Sequence, residues 1–145
     1  MDRGRGSDAG GSEEPSMTAA YVFDAAFRVS AAEVSLTPGR FETTLRLFAP
    51  EPGESGAQID WLFFRDRLWS GEISDEAPLR RAASDWLDVE VESLSFKELR
   101  TDEAYLEALR EAVAEDLTRF NADSVDEALQ QYLGSSIHVV PREEV

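Results

Sequence analysis

The chain has 145 residues, with 30 Asp and Glu against 14 Lys and Arg, a net charge of −16 and a hydrophobic content of 42%. That apolar share supports the core of one domain and argues against disorder along the whole length. The lack of cysteine excludes disulfides, thiolate catalysis and cysteine-ligated zinc, and no apolar run approaches the ~18 residues of a membrane span.

Residues 1–18 are rich in Gly, Ser and acids without periodicity and read as a disordered tail, with Met17 resembling a second start. The opening residues hold no apolar signal-peptide core, which points to a cytoplasmic protein. A single α+β domain is expected over 19–140 and a short C-terminal tail over 141–145. Tyr21, Phe23, Ala25, Phe27 and Val29 alternate with Val22, Asp24, Ala26, Arg28 and Ser30 in a first strand. Thr37-Pro38-Gly39 is a turn signal. A second strand sets Phe41, Thr43, Leu45 and Leu47 against Glu42, Thr44 and Arg46. After the Pro50–Gly56 loop a third strand is expected from about Ile59 to Trp69. Its Trp61-Leu62-Phe63-Phe64 centre is apolar on both faces, which suits the middle of a sheet.

Beyond Gly71 the period becomes helical. Leu79, Ala82, Ala83, Trp86 and Leu87 share one face, with Ser74 or Asp75 as cap. A short fourth strand follows at Val89–Phe96. Thr101 opens the longest helix, with Asp102 and Glu103 in its first turn and a stripe of Tyr105, Leu109, Val113, Leu117 and Phe120. Ser124 with Glu127 forms a capping box for a third helix, which Gly134 stops. Ser135–Val140 is an edge strand or an extended tail. The order β-β-β-α-β-α-α predicts a mostly antiparallel sheet of about four strands with helices packed chiefly on one face.

Lys97 is the only lysine beside thirteen arginines. High acid with lost lysine describes a surface built for concentrated salt. The Debye length falls from ~10 Å at 0.1 M to ~3 Å at 1 M, so self-repulsion at −16 is relieved in brine and high salt is required for stability. A polyanion disfavours nucleic acid and anionic membranes as partners, but brine weakens that argument, so only a local basic patch is informative. The local basic pairs are Arg65 with Arg67 and Arg80 with Arg81, each with acids close by.

No cofactor is implied, since neither a Walker loop nor G-x-G-x-x-G is present. Glu103, Glu107, Glu111 and Glu115 form one like-charged helical ridge, with Arg110 at i+3 from Glu107 and Arg119 at i+4 from Glu115. The ridge reads as a hydrated face, and no metal site is assigned. His138 is the only histidine. A general base needs an orienting partner, and Ser135 and Ser136 are the nearby hydroxyls. A side chain on a terminal strand is the simpler reading, so no catalytic residue is assigned. Trp69 ends a strand beside Ser70 and Gly71, where side chains are commonly accessible. The candidate interaction surface is therefore Leu68, Trp69, Ser70, Gly71, Glu72, Ser135, Ser136 and His138.

Four segments carry a resemblance: Leu68-Trp69-Ser70-Gly71-Glu72, Leu99-Arg100-Thr101-Asp102-Glu103, Phe120-Asn121-Ala122-Asp123, and Leu133-Gly134-Ser135-Ser136-Ile137-His138-Val139. Over Tyr21 to Val139 the chain resembles the haloarchaeal LWR-salt proteins. The family name implies Arg where this chain has Ser70. The resemblance implies a halophilic archaeal source and no particular activity. The expected function is a non-enzymatic protein-interaction or regulatory domain that meets a protein partner or a second copy as a homodimer. The alternative is a small-ligand binder or small enzyme using His138, and a nucleic-acid-associated role is less favoured.

Overall fold

The structure, a computed structural model, describes residues 17–28 and 40–145. The tail before Met17, Val29, Ser30 and the Thr37-Pro38-Gly39 turn lie outside them. Strand β1 (Ala19–Arg28) runs antiparallel to β2 (Arg40–Phe48) on one side and to β5 (Glu90–Thr101) on the other. Strand β6 (Ile137–Val139) adds in parallel to the outer edge of β5, giving the order β2-β1-β5-β6. Ser135–Val140 thus joins the sheet through its middle residues.

The middle of the sheet belongs to β1 and β5, not to an Ile59–Trp69 strand. That segment instead forms a short helix α1 (Phe63–Arg67) and the two-residue β3 (Leu68–Trp69), which pairs with β4 (Glu72–Ile73). An apolar run of this length fits a buried helix turn as well as a strand. Here Asp60 decides it: its carboxylate accepts the Leu62 N–H at 2.9 Å and turns the chain ahead of the helix. The aromatics then plug the space between sheet and helices. Phe63 lies 4.7 Å from Tyr21, and Phe64 stacks on Phe120 at 5.6 Å.

Strand β5 carries the inward residues Val91, Leu94, Phe96 and Leu99, spaced three, two and three apart. A plain strand would turn some of these outward. Two register shifts opposite β1 leave Glu92 and Lys97 unpaired, and these bulges return all four to one face. The strand therefore runs on past Phe96 to Thr101.

Helix α2 (Glu76–Leu87) has Asp75 at its N-cap without a side-chain bond. Its Glu76 carboxylate instead accepts the Leu94 N–H at 2.8 Å and ties the helix to β5. Helix α3 (Glu103–Ala114) starts at Asp102, whose carboxylate accepts from Tyr105 N at 2.8 Å and Thr18 N at 3.1 Å. It stops at Ala114, so Leu117 and Phe120 belong to a separate 3-10 turn. Helix α4 (Val125–Leu133) is capped by Ser124 through the Glu127 N–H, and Glu127 in return accepts from Asp123 N.

Phe63, Phe64, Leu79, Ala83, Tyr105, Leu109, Val113, Leu129 and Leu133 share one core with Tyr21, Phe23, Leu45, Leu47, Leu94 and Leu99. The helices thus cover one sheet face, and the fold is α+β. A last 3-10 turn, Arg142–Glu144, returns Val145 to a buried position, where Arg100 donates to the Glu144 carbonyl at 3.3 Å. No described helix is long and apolar enough to cross a membrane.

Candidate functional site

Leu68, Trp69, Ser70, Gly71 and Glu72 form a hairpin whose two turn residues both have positive φ, 53° at Ser70 and 79° at Gly71. This is the backbone a two-residue hairpin of matched twist demands, and glycine meets it without strain. The turn is anchored by its own N–H groups. Ser70 N donates to the Gln131 carbonyl at 2.7 Å and Gly71 N to the Tyr132 carbonyl at 3.0 Å. These carbonyls belong to the last turn of α4, where a helix leaves acceptors without internal donors. The hairpin is therefore the C-terminal cap of a helix far away in sequence.

The other candidate segment meets the same point. Gly134 (φ 63°) ends α4, and a Cβ there would lie 3.1 Å from the Ser70 carbonyl oxygen. A Cβ on Gly71 would lie 3.0 Å from the Leu133 oxygen. The two turns touch backbone to backbone because neither glycine has a side chain. Ser136 donates both its N–H and its hydroxyl to the Leu133 carbonyl, so that hydroxyl serves the turn rather than His138. Ser135 is exposed.

Trp69 projects from this anchored hairpin and is 54% exposed. Its ring meets Tyr132 edge to face at 5.6 Å, and the Tyr132 hydroxyl donates to the Phe120 carbonyl at 3.1 Å. Glu72 is the cross-strand partner of Trp69, so the two side chains leave the same face of the ribbon. Glu72 is exposed and forms no ion pair among the described residues.

His138 lies elsewhere. It pairs in register with Arg100, which pairs with Ala20, and this row faces away from Tyr21, Leu99 and the helices. Trp69, packed on α4, and His138 thus occupy opposite sides of the sheet and share no pocket. His138 Nδ1 donates to Glu98 Oε1, while Arg100 Nε lies 3.3 Å from Glu98 Oε2 without hydrogen-bond geometry. Glu98 is buried. The hydrogen bond from His138 holds its carboxyl below the usual range, against the opposing effect of desolvation and with help from Arg100. Residue patterning missed Glu98 because the Lys97 bulge breaks the strand's period just before it. It missed Tyr132 as the support of Trp69 because a long-range ring contact leaves no local signal.

The remaining charged candidates are paired or dispersed. Arg65 bonds Asp66 at 2.7 Å and Arg80 approaches Glu76 at 3.7 Å. Arg110 pairs with Asp126 of α4 and Arg119 with Asp116, in place of Glu107 and Glu115. Among the described residues no three His, Asp or Glu side chains converge as a metal site. The sheet's uncovered face holds a polar cavity of about 470 Å³ lined by Asp24, Glu42, Thr44, Ser93 and Ser95, away from both candidate segments.

A family model described as LWR-salt protein matches residues 17–143. No curated protein and no solved structure matches the chain. The family match takes in every strand and helix from β1 to β6, with both glycine turns and the Trp69 hairpin between them, and the chain belongs to the LWR-salt protein family.

Proposed function

We propose that this chain is a non-enzymatic protein-interaction or regulatory domain of a salt-adapted cytoplasm of the haloarchaeal kind. The observation that carries the reading is Trp69, a large aromatic left 54% exposed on a hairpin whose position is fixed by two backbone bonds to α4. Exposed aromatics on a rigid support are the residues that dominate binding interfaces. Burying this ring on a partner gains apolar contact without ordering a loop. The excess of carboxylates and the single lysine support the salt-adapted setting.

The test is affinity capture from a lysate kept at about 2 M KCl. The wild-type chain should retain a stoichiometric partner or second copy that Trp69→Ala loses, while the variant keeps the wild-type circular dichroism. Equal capture by both chains would remove Trp69 from the reading.

A second reading rests on Glu98 and His138. A buried carboxylate that fixes Nδ1 leaves Nε2 as the free nitrogen of an exposed ring, an arrangement suited to a small ligand or to proton transfer. His138→Ala with any ligand found to bind is its test; unchanged binding or turnover would end it.

A further inference from the structure

The hairpin also carries information about what docks on it. Trp69 and Glu72 leave one face of the β3–β4 ribbon as a cross-strand pair, with side-chain origins about 5 Å apart. Tyr132 supports one side of the indole and leaves more than half of the residue open. The Glu72 carboxylate has no ion-pair partner among the described residues, and no hydrogen bond there engages the Trp69 indole N–H. An aromatic face beside an unpaired carboxylate is a receptor for a cation. In molar salt, with a screening length of ~3 Å, only contact-range charge selects a partner, and the charge beside Trp69 is the Glu72 carboxylate.

We infer that the partner segment presents an arginine, its guanidinium lying on the open face of Trp69 and bonded to the Glu72 carboxylate. This rests on the interaction reading above. Arginine fits better than lysine for two reasons. A guanidinium is planar, stacks on an indole and pairs with a carboxylate through two parallel N–H bonds. It is also weakly hydrated, whereas an ammonium is a compact, strongly hydrated point charge that loses more on leaving water. A cleft of about 350 Å³ begins at Glu72 and is lined by Ile73, Glu76, Leu94, Ser95 and Phe96, a mixed polar and apolar surface with room for a residue flanking the arginine.

The probe is Nα-acetyl-arginine amide, titrated into the full chain in about 2 M KCl while the tryptophan indole N–H resonances are followed. Trp69→Phe assigns the Trp69 resonance. That resonance should shift progressively, and those of the buried Trp61 and half-buried Trp86 should hold still. Glu72→Gln, at an exposed position that spares the fold, should weaken the response about threefold. Blocked lysine should give a smaller shift than blocked arginine. An unchanged titration in Glu72→Gln would falsify the inference. Equal shifts with lysine, a larger shift with a short single-stranded oligonucleotide, or no shift up to about 100 mM arginine would overturn it too. If capture of a partner depends on Trp69 and the arginine probe moves nothing, the interaction reading stands and this inference falls. If the probe binds as described and no partner is captured, the arginine receptor at Trp69 and Glu72 stands, while its assignment to a partner segment falls with the interaction reading.

Discussion

Gly71 and Gly134 are each constrained twice, by a positive φ and by a carbonyl where a Cβ would go. Alanine at either site has to adopt a left-handed backbone and displace main-chain atoms of the opposite turn, which cannot rotate away as a side chain would. Gly71→Ala and Gly134→Ala should each cost about 1–3 kcal/mol. A lower urea midpoint at constant m-value, measured in molar KCl, checks this; a midpoint within error of wild type would show that the turns relax freely. Both glycines could be read from the sequence as punctuation, one beside a strand end and one after a helix. Their meeting could not, because nothing local in either turn encodes contact with the other. Ser136 is the same case. Its hydroxyl looked available to His138 by proximity in the chain, and the fold spends it on the Leu133 carbonyl.

At the scale of elements, period-based reading succeeded where burial is one-sided. Strand β2 and helices α2 and α4 each bury one stripe, and their apolar spacing states it, while β1 is buried on both faces over most of its length and is legible because its aromatics alternate with small or polar residues. It failed where side chains are buried all round, as in Trp61-Leu62-Phe63-Phe64, since such a run has no polar face to reveal a period. It also stopped early on β5, where the Lys97 bulge shifts the phase by one residue and hides Glu98, Leu99 and Arg100 from an alternating template. That hidden part holds the β5–β6 contact made by Glu98 and His138. A carboxylate whose folded pKa lies below its unfolded value adds stability that is complete above the unfolded value, about 4.3 for glutamate. The contribution disappears as pH falls through the lower, folded value. Glu98 is such a group. Acid titration of the wild type should therefore lose stability below about pH 4.3 more steeply than Glu98→Gln, as followed by thermal melting across that range. Parallel curves for the two chains would show that the His138 contact contributes nothing to folding.

For the molecule as a whole, the charge lies over an ordinary core. Among the described residues the buried acids are Glu98 and Asp102, one bonded to His138 and the other capping α3. The other described acids are at least partly exposed and feel one another through solvent, where salt screens them. On the salt-adapted reading, circular dichroism should show the fold melting as KCl is dialysed from molar levels to ~0.1 M. A chain that stays fully folded at the lower level would identify an acidic protein with no dependence on brine. The sequence's apolar patterning is indifferent to this outcome, which is why the fold could be read from residues whichever way the salt titration falls.

The hairpin that caps α4 separates two properties that usually go together at a loop tip. Ser70 is exposed, as is Trp69 beside it, yet the amides of Ser70 and Gly71 are locked to carbonyls of the neighbouring helix. Solvent can reach the side chains while deuterium replaces those two protons only when the hairpin lifts from the helix end. Their exchange clock therefore times the undocking of the surface that carries Trp69.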